Sequence, residues 1–171
     1  MSYNIILLLL FCLPIIGLSQ DTQPLEMSGM LEAHNEARDS LNLPELVWST
    51  ELEKSSLKWA KKLRRKNYCL YKHSNGRYIQ NIGENIAWSK GYDLTPRQVS
   101  KLWISEKKYF DFESRKCVET LDSCGHYTQI IWRDTKKVGC ATVKCGDEQV
   151  WVCQYKPAGN IYFKGKILPA Y

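Results

Sequence analysis

Two glutamates sit where charge is least welcome. Glu106 falls on the apolar stripe of a helical repeat made by Val99, Leu102, Trp103, Glu106 and Phe110, and Glu84 shares an alternating strand face with Ile86 and Trp88. Both carboxylates are thereby predicted to point inward, where an unpaired charge is strongly disfavoured. Imidazole is the natural partner, and the chain has three histidines, His34, His73 and His126. Imidazole and carboxylate side chains brought together can hold a divalent cation, move a proton, or form only a hydrogen-bonded cluster that props a cleft open. Hydrolytic chemistry finds little further support. There is no Gly-x-Ser-x-Gly and no His-Glu-x-x-His, and Ser105 beside Glu106 would leave the helix on another face.

The elements that must carry these residues can be read from spacing. Met27, Met30, Leu31, His34, Arg38 and Leu41 recur at helical intervals and give a first helix that stops before Pro44. His34 lies on its buried stripe and reads as a core histidine rather than a ligand. Thr50 and Glu53 suggest a capping box for a second helix striped by Leu52, Ser56, Trp59, Ala60 and Leu63. Thr95, Pro96 and Gln98 open the third helix, which carries Glu106. Gly125 to Trp132 suits a short fourth helix, and Glu84 to Trp88, Val138 to Cys145 and Gln149 to Tyr155 read as strands. Helices and antiparallel strands interleave without a βαβ rhythm, which argues an α+β fold.

Residues 1–20 contain no Asp, Glu, Lys or Arg, and Ile5 to Ile16 form an apolar block followed by Gly17 and Ser19. That is the pattern of a secretory signal peptide, with cleavage near Ser19 or Gln20 and a single mature domain over residues 21–171. Cleavage removes Cys12, so seven cysteines become six, an even number that in an exported chain reads as three disulfides. If Gly146 and Asp147 form a two-residue hairpin turn, Cys140 lies directly opposite Cys153. Cys117 and Cys124 would close a short loop, leaving Cys69 to reach Cys145. A zinc ribbon built on Cys140, Cys145 and Cys153 is the competing reading, and their spacing is not a ribbon's. The formal net charge of +6 belongs wholly to the secreted part. A basic exported domain meets anionic membrane surfaces and lipids rather than nucleic acid. No Asn-x-Ser/Thr sequon occurs.

Gly125-His126-Tyr127-Thr128-Gln129-Ile130-Ile131-Trp132 and, farther on, Val150-Trp151-Val152-Cys153-Gln154-Tyr155-Lys156-Pro157-Ala158-Gly159-Asn160 resemble the two signature motifs of the CAP superfamily. That superfamily joins cysteine-rich secretory proteins, antigen-five venom allergens and plant pathogenesis-related class-one proteins. Trp151 stands where an aliphatic residue, Phe or Tyr is more usual. The resemblance implies a disulfide-stabilised three-layer α-β-α sandwich with an antiparallel central sheet, and its cysteine pattern agrees with the pairing above. It implies that His73, Glu84, Glu106 and His126 form a central cavity tetrad in which His73 and His126 take Zn²⁺ or another divalent cation, a metal not required for folding. The chain ends eleven residues after Asn160, so no Cys-rich C-terminal module is expected.

Three functions follow as expectations. The first, implied by the resemblance, is a secreted lipid-binding protein holding a sterol or fatty acid in an apolar groove beside the first and fourth helices or under Tyr109, Phe110 and Phe112, aromatic residues for which core packing is the commoner fate. The second is an extracellular receptor- or host-directed interaction module with a vestigial cavity. The third, the least supported, is a metal-dependent hydrolase. Lys61, Lys62, Arg64, Arg65 and Lys66 crowd the end of the second helix, a solvated helix end by default and an anionic-membrane or glycan contact otherwise.

Overall fold

The computed structural model describes residues 21–75, 81–118, 120–163, 166–167 and 170, so the expected signal peptide lies outside the described residues. Its helices are α1 (Met30–Asp39), α2 (Thr50–Leu63), α3 (Pro96–Ile104) and α4 (Leu121–Ile130). Its strands are β1 (Val47–Trp48), β2 (Gly83–Lys90), β3 (Phe110–Asp111), β4 (Lys116–Cys117), β5 (Lys137–Cys145), β6 (Glu148–Lys156), β7 (Tyr162–Phe163) and β8 (Lys166–Ile167).

The β5–β6 hairpin organises the chain. Gly146 at its turn has φ +67°, and an added Cβ there would also crowd the Asn67 carbonyl at 3.0 Å, so glycine answers both demands. The turn sets Cys140 opposite Cys153, and a disulfide joins them. Disulfides also join Cys69 to Cys145 and Cys117 to Cys124. β2 pairs antiparallel with the outer edge of β6, and the short β1 runs parallel to β5, giving the order β1-β5-β6-β2. The sheet is therefore mixed at one edge rather than wholly antiparallel. β1 reaches β5 only after a crossover through α2 and the intervening chain, the kind of connection a parallel pair needs.

Strand alternation sorts the core into two clusters. Trp151, Cys153 and Tyr155 of β6 face one way and pack with Met30, Val99, Trp103, Tyr127 and Ile130 of α1, α3 and α4. Val150 and Val152 face the other way and pack with Ile86 and with Trp59, Ala60 and Leu63 of α2. Helices thus cover both faces, the three-layer α-β-α sandwich. The two helical layers meet around the edge strand β2.

Local chemistry starts and stops the helices, with some departures from expectation. Ser49, extended at φ −131° and ψ 111°, caps α2 by accepting the Leu52 amide at 3.4 Å. Thr50 is already helical and donates its hydroxyl to Asp21 instead, while Glu53 accepts the Trp48 indole N–H at 2.8 Å, so the expected capping box does not form. The Thr95/Gln98 capping box of α3 does form, with Pro96 at the first helical position. That helix ends at Ile104 and tightens into a 3₁₀ turn over Ser105–Tyr109, and Leu102 is exposed rather than buried. α4 begins at Leu121, earlier than expected, and is kinked at Cys124, whose φ is −143°.

α1 is fixed from inside. The fully buried Arg38 donates to the carbonyls of Pro44 at 2.6 Å, Ile130 and Trp132 at 2.8 Å and Thr135 at 3.2 Å, clamping α1 to the end of α4. His34, one turn before it and also buried, sets its Nδ1 2.7 Å from the Met30 carbonyl and its Nε2 2.8 Å from the Tyr155 hydroxyl. Nδ1 must carry the proton to satisfy a carbonyl, so Nε2 accepts from the phenol. This is a satisfied core histidine.

Burial drives the His34 pKa down to about 4, with the Arg38 charge adding to the effect. Between an ordinary histidine value and about 4 the unfolded chain binds a proton that the folded protein refuses, so stability is full at neutral pH and falls on acidification. Chemical denaturation should show about 2 kcal/mol lost from this group between pH 7.5 and pH 5. His34→Gln should lose correspondingly less across the same interval. Equal pH dependence in the two proteins would refute the assignment.

Candidate functional site

Glu84 stands near the start of β2, and strand alternation turns it to the α2 side of the sheet, the face of Ile86 and Val152. Its side chain is only 6% exposed. Four donors answer it: His73 Nδ1 at 2.9 Å, the Ser74 amide at 2.8 Å and hydroxyl at 2.6 Å, and Gln154 Nε2 at 3.0 Å. Burial pushes its carboxyl up, but the hydrogen bonds from His73, Ser74 and Gln154 outweigh that and hold it below the usual carboxylate range. The loop that brings His73 is anchored to α2, where the Trp59 indole donates to the Lys72 carbonyl at 2.9 Å. Gly83, just before Glu84, leaves room for the Gln129 side chain of α4, whose amide an added Cβ would force to shift.

Glu106 comes from the opposite layer. The 3₁₀ turn after α3 aims it at the kink in α4, where the helix restarts after Cys124 and its amides need an acceptor. One carboxylate oxygen takes the amides of His126 and Tyr127 at 3.0 and 3.3 Å, and the other takes His126 Nδ1 at 2.6 Å. Glu106 is thus a helix cap and an imidazole holder at once. The Trp103 ring stacks on the far side of His126 with centroids 5.9 Å apart, and His34 meets Trp103 edge-on at 6.2 Å.

The two His–Glu pairs are chemically alike. A carboxylate accepts, so in each neutral ring the proton sits on Nδ1 and the lone pair on Nε2. His73 and His126 both line one cavity of about 330 Å³ together with Glu84, Asn85, Tyr71 and Asn160. Burial and the Glu106 carboxylate raise the Tyr71 phenol above its usual value, which places Tyr71 within reach of the second pair's charge. Among the described residues no group of three or more His, Cys, Asp or Glu side chains is gathered so as to hold a metal. Two imidazole nitrogens are what the cavity offers, because both carboxylates are spent on orienting the rings. A divalent cation fits such a pair only with water completing its shell, which makes for weak, exchangeable binding.

Residues outside the expected tetrad complete the site. Asn85 donates to the His126 carbonyl at 3.1 Å and the Tyr155 hydroxyl at 3.2 Å, which joins the cavity to the buried His34. Asn160, in the left-handed region at φ 54°, accepts the Thr128 hydroxyl at 2.7 Å and donates to the Gly125 carbonyl at 2.8 Å, tying the chain after β6 to α4. Asn160 closes the second quoted motif and Asn85 follows Glu84, but nothing in their residue types set them apart from ordinary polar loop or strand residues.

The aromatic segment divides. Phe110 is a core residue, packed on Tyr127 with centroids 5.5 Å apart, and does not line an open groove. β3 pairs it with Cys117, and the Cys117–Cys124 disulfide draws that ribbon against α4. Phe112, edge-on to Phe110 at 5.0 Å, and Tyr109 remain half-exposed, with Lys107 and Lys108 lying over their rings.

The family model described as the cysteine-rich secretory protein family, CAP, matches residues 31–155. Pathogenesis-related protein PR-1 of Medicago truncatula is 40% identical over 130 residues, covering 75% of this chain and 71% of its own. Pathogenesis-related protein 1C of Nicotiana tabacum is 37% identical over 135 residues, covering 78% and 76%. Among solved structures, the crystal structure of NaASP2 with Zn²⁺ superposes with a TM-score of 0.63 at 27% identity, over 80% of this chain and 81% of that one.

Glu106→Ala should cost about 1 to 2 kcal/mol of unfolding free energy, because two amides at the α4 restart and one imidazole lose their acceptor together. Glu106→Gln, which keeps an oxygen for the amides, should recover part of the loss. An alanine variant as stable in urea as the parent would show that the kink needs no cap.

Proposed function

Because the chain belongs to the cysteine-rich secretory protein family, of the pathogenesis-related and venom allergen-like type, we propose that it is an exported, non-catalytic binding protein whose cavity reversibly holds a divalent cation such as Zn²⁺ between His73 and His126. The observation that carries this reading is the matched pair of imidazoles in one cavity, each with Nδ1 bound to a carboxylate and Nε2 left to give. Bound there, the cation would supply a positive centre for a small oxygen ligand. That NaASP2 was solved with Zn²⁺ on the same fold supports the assignment. Three disulfides suit the oxidising compartment that an exported protein enters.

Catalysis by a serine, cysteine, threonine or lysine nucleophile finds no support in the cavity. The residues lining the cavity include no Ser, Cys, Thr or Lys, and the nearby Ser74 hydroxyl donates to Glu84 rather than to an imidazole. Peptidase or esterase turnover abolished by a chelator would replace the binding reading with a metal-dependent hydrolase.

The β3–β4 ribbon supports a second reading, capture of a sterol or fatty acid. Tyr109, Phe112 and Val118 are 45%, 42% and 66% exposed, and the Val118 amide donates to the Tyr109 carbonyl, so these apolar side chains share one ribbon around the anchored Phe110. Each methylene laid on such a surface is worth up to ~0.8 kcal/mol. Saturable binding of cholesterol or palmitate to delipidated protein should weaken in Phe112→Asp and persist in His126→Ala. Failure of both lipids would leave the extracellular receptor or interaction module as the family role.

Calorimetry with ZnCl₂ is the test of the primary reading. His73→Ala and His126→Ala should each weaken binding at least about tenfold. Unchanged zinc binding in both variants would remove the cavity from the argument. The protein should remain folded in EDTA, with an unfolding midpoint no lower than that of the metal-free protein, since disulfides and two packed cores hold the fold without a metal.

A further inference from the structure

Five of the chain's 24 lysines and arginines crowd one place that shares no lining residue with the cavity. Lys61, Lys62, Arg64, Arg65 and Lys66 are all exposed at the end of α2 and the loop after it, five cations against a net formal charge of +6 for the whole chain. Among the described residues none of the five makes an ion pair. The α2 carbonyls offset part of the repulsion, for Arg65 Nη1 donates to the Lys62 and Arg64 carbonyls at 2.8 and 3.1 Å. The carboxylate of Glu148, at the start of β6, is spent elsewhere. Glu148 turns inward to accept the Cys69 amide at 2.7 Å and the Trp88 indole at 3.1 Å.

These cations do not lie on a convex surface. Arg64, Arg65 and Lys66 form one wall of an open pocket of about 640 Å³, and Lys144, Cys145 and Gly146 at the end of the β5–β6 hairpin form the other. Lys144 pairs with Asp93 at 2.6 Å, but both are well exposed, and such a surface pair yields readily to a competing anion. The walls are fixed to each other by the Cys69–Cys145 disulfide and by the antiparallel bridge of Arg64 to Cys69, and the loop is closed by the Arg65 amide donating to the Tyr68 carbonyl at 2.9 Å. Like charges are therefore held close by a fixed backbone frame, and an anion entering between the walls relieves their mutual repulsion.

We propose that this pocket, continued by Lys61 and Lys62 on α2, is a docking site for a linear polysaccharide carrying repeated sulfate or carboxylate groups. A single small anion would engage one wall, whereas a polymer can occupy the pocket and the helix end together and gain by multivalency. A bilayer surface matches less well. The pocket's lining residues present no large apolar side chain for insertion. Oxidised cysteines place the protein where such glycans are met.

Binding of the full-length secreted protein to immobilised heparin and, separately, to polygalacturonate distinguishes the sulfated from the carboxylated class. Saturable binding to at least one is expected, weakening as salt rises. Arg64→Glu/Lys66→Glu should reduce affinity at least about tenfold, whereas Lys101→Glu/Lys108→Glu, the same change in charge on the α3 side, should change it less than about twofold. Lys61→Gln/Lys62→Gln gives an independent loss of about threefold or more should the first variant misfold. No saturable binding to either glycan would overturn the proposal, as would an equal loss in the α3-side variant. Tighter binding to phosphatidylserine vesicles than to either glycan, lost in Arg64→Glu/Lys66→Glu, would overturn it in favour of a membrane.

Discussion

Arg38 is a guanidinium held out of water, and its donors go to the backbone carbonyls of Pro44, Ile130, Trp132 and Thr135. Burial and the nearby Arg133 lower its pKa to about 10, still well above neutrality, so it is a buried cation answered by dipoles. Burying such a charge is tolerable only when nearly every N–H finds an acceptor, which makes the arrangement unforgiving. Those carbonyls mark the end of α4 and the turn beyond it, so the clamp fixes where α4 lies on the sheet. His126 rides on α4, and the cavity inherits its geometry from a charge buried at the other end of that helix.

The same constraint shapes the cavity. Each of two inward glutamates needs donors, and each recruits an imidazole together with backbone amides. The donors come from different layers. His73 and Ser74 arrive on a loop anchored to α2, while His126 belongs to the layer of α1, α3 and α4. The edge strand β2 lies between them, with Glu84 on one face and Asn85 on the other. A cavity with one His–Glu pair from each layer can exist only where the sheet ends, because elsewhere the strands would separate them. Asn85, Tyr155 and His34 carry the polar network from the cavity into the core without leaving a partner unmet.

The basic pocket obeys a different economy. Its charges are solvated, cost little individually, and become significant through concentration on a rigid loop. The disulfide that holds that loop also closes the outer end of the α2 core, where Cys69 and Cys145 pack with Leu63 and Val150. One covalent link thus serves stability on its inner side and charge placement on its outer side. The proposed cation site and the proposed glycan site share no residue.

Much of this was legible in the chain because the relevant physics is local. A two-residue turn at Gly146-Asp147 and period-two alternation fix the β5–β6 register, and with it the meeting of Cys140 and Cys153. Thr95, Pro96 and Gln98 cap α3 with groups three residues apart, and the inward placement of Glu84 follows from strand alternation, whereas Glu106 lies beyond the end of α3 and is aimed by the 3₁₀ turn. Where neighbours offer equal local chemistry, tertiary contacts decided. Ser49 rather than Thr50 caps α2, since Asp21 claims the Thr50 hydroxyl and Trp48 claims Glu53. Phe110 reaches the core through the disulfide-held β3–β4 ribbon rather than through a helix, while Leu102 of the same predicted stripe is exposed. The assignment of His73 to Glu84 and His126 to Glu106, and the gathering of Lys144 opposite Arg64, depend on elements far apart in sequence meeting in space. No short-range pattern encodes that, since it is the packing of whole layers that sets those distances.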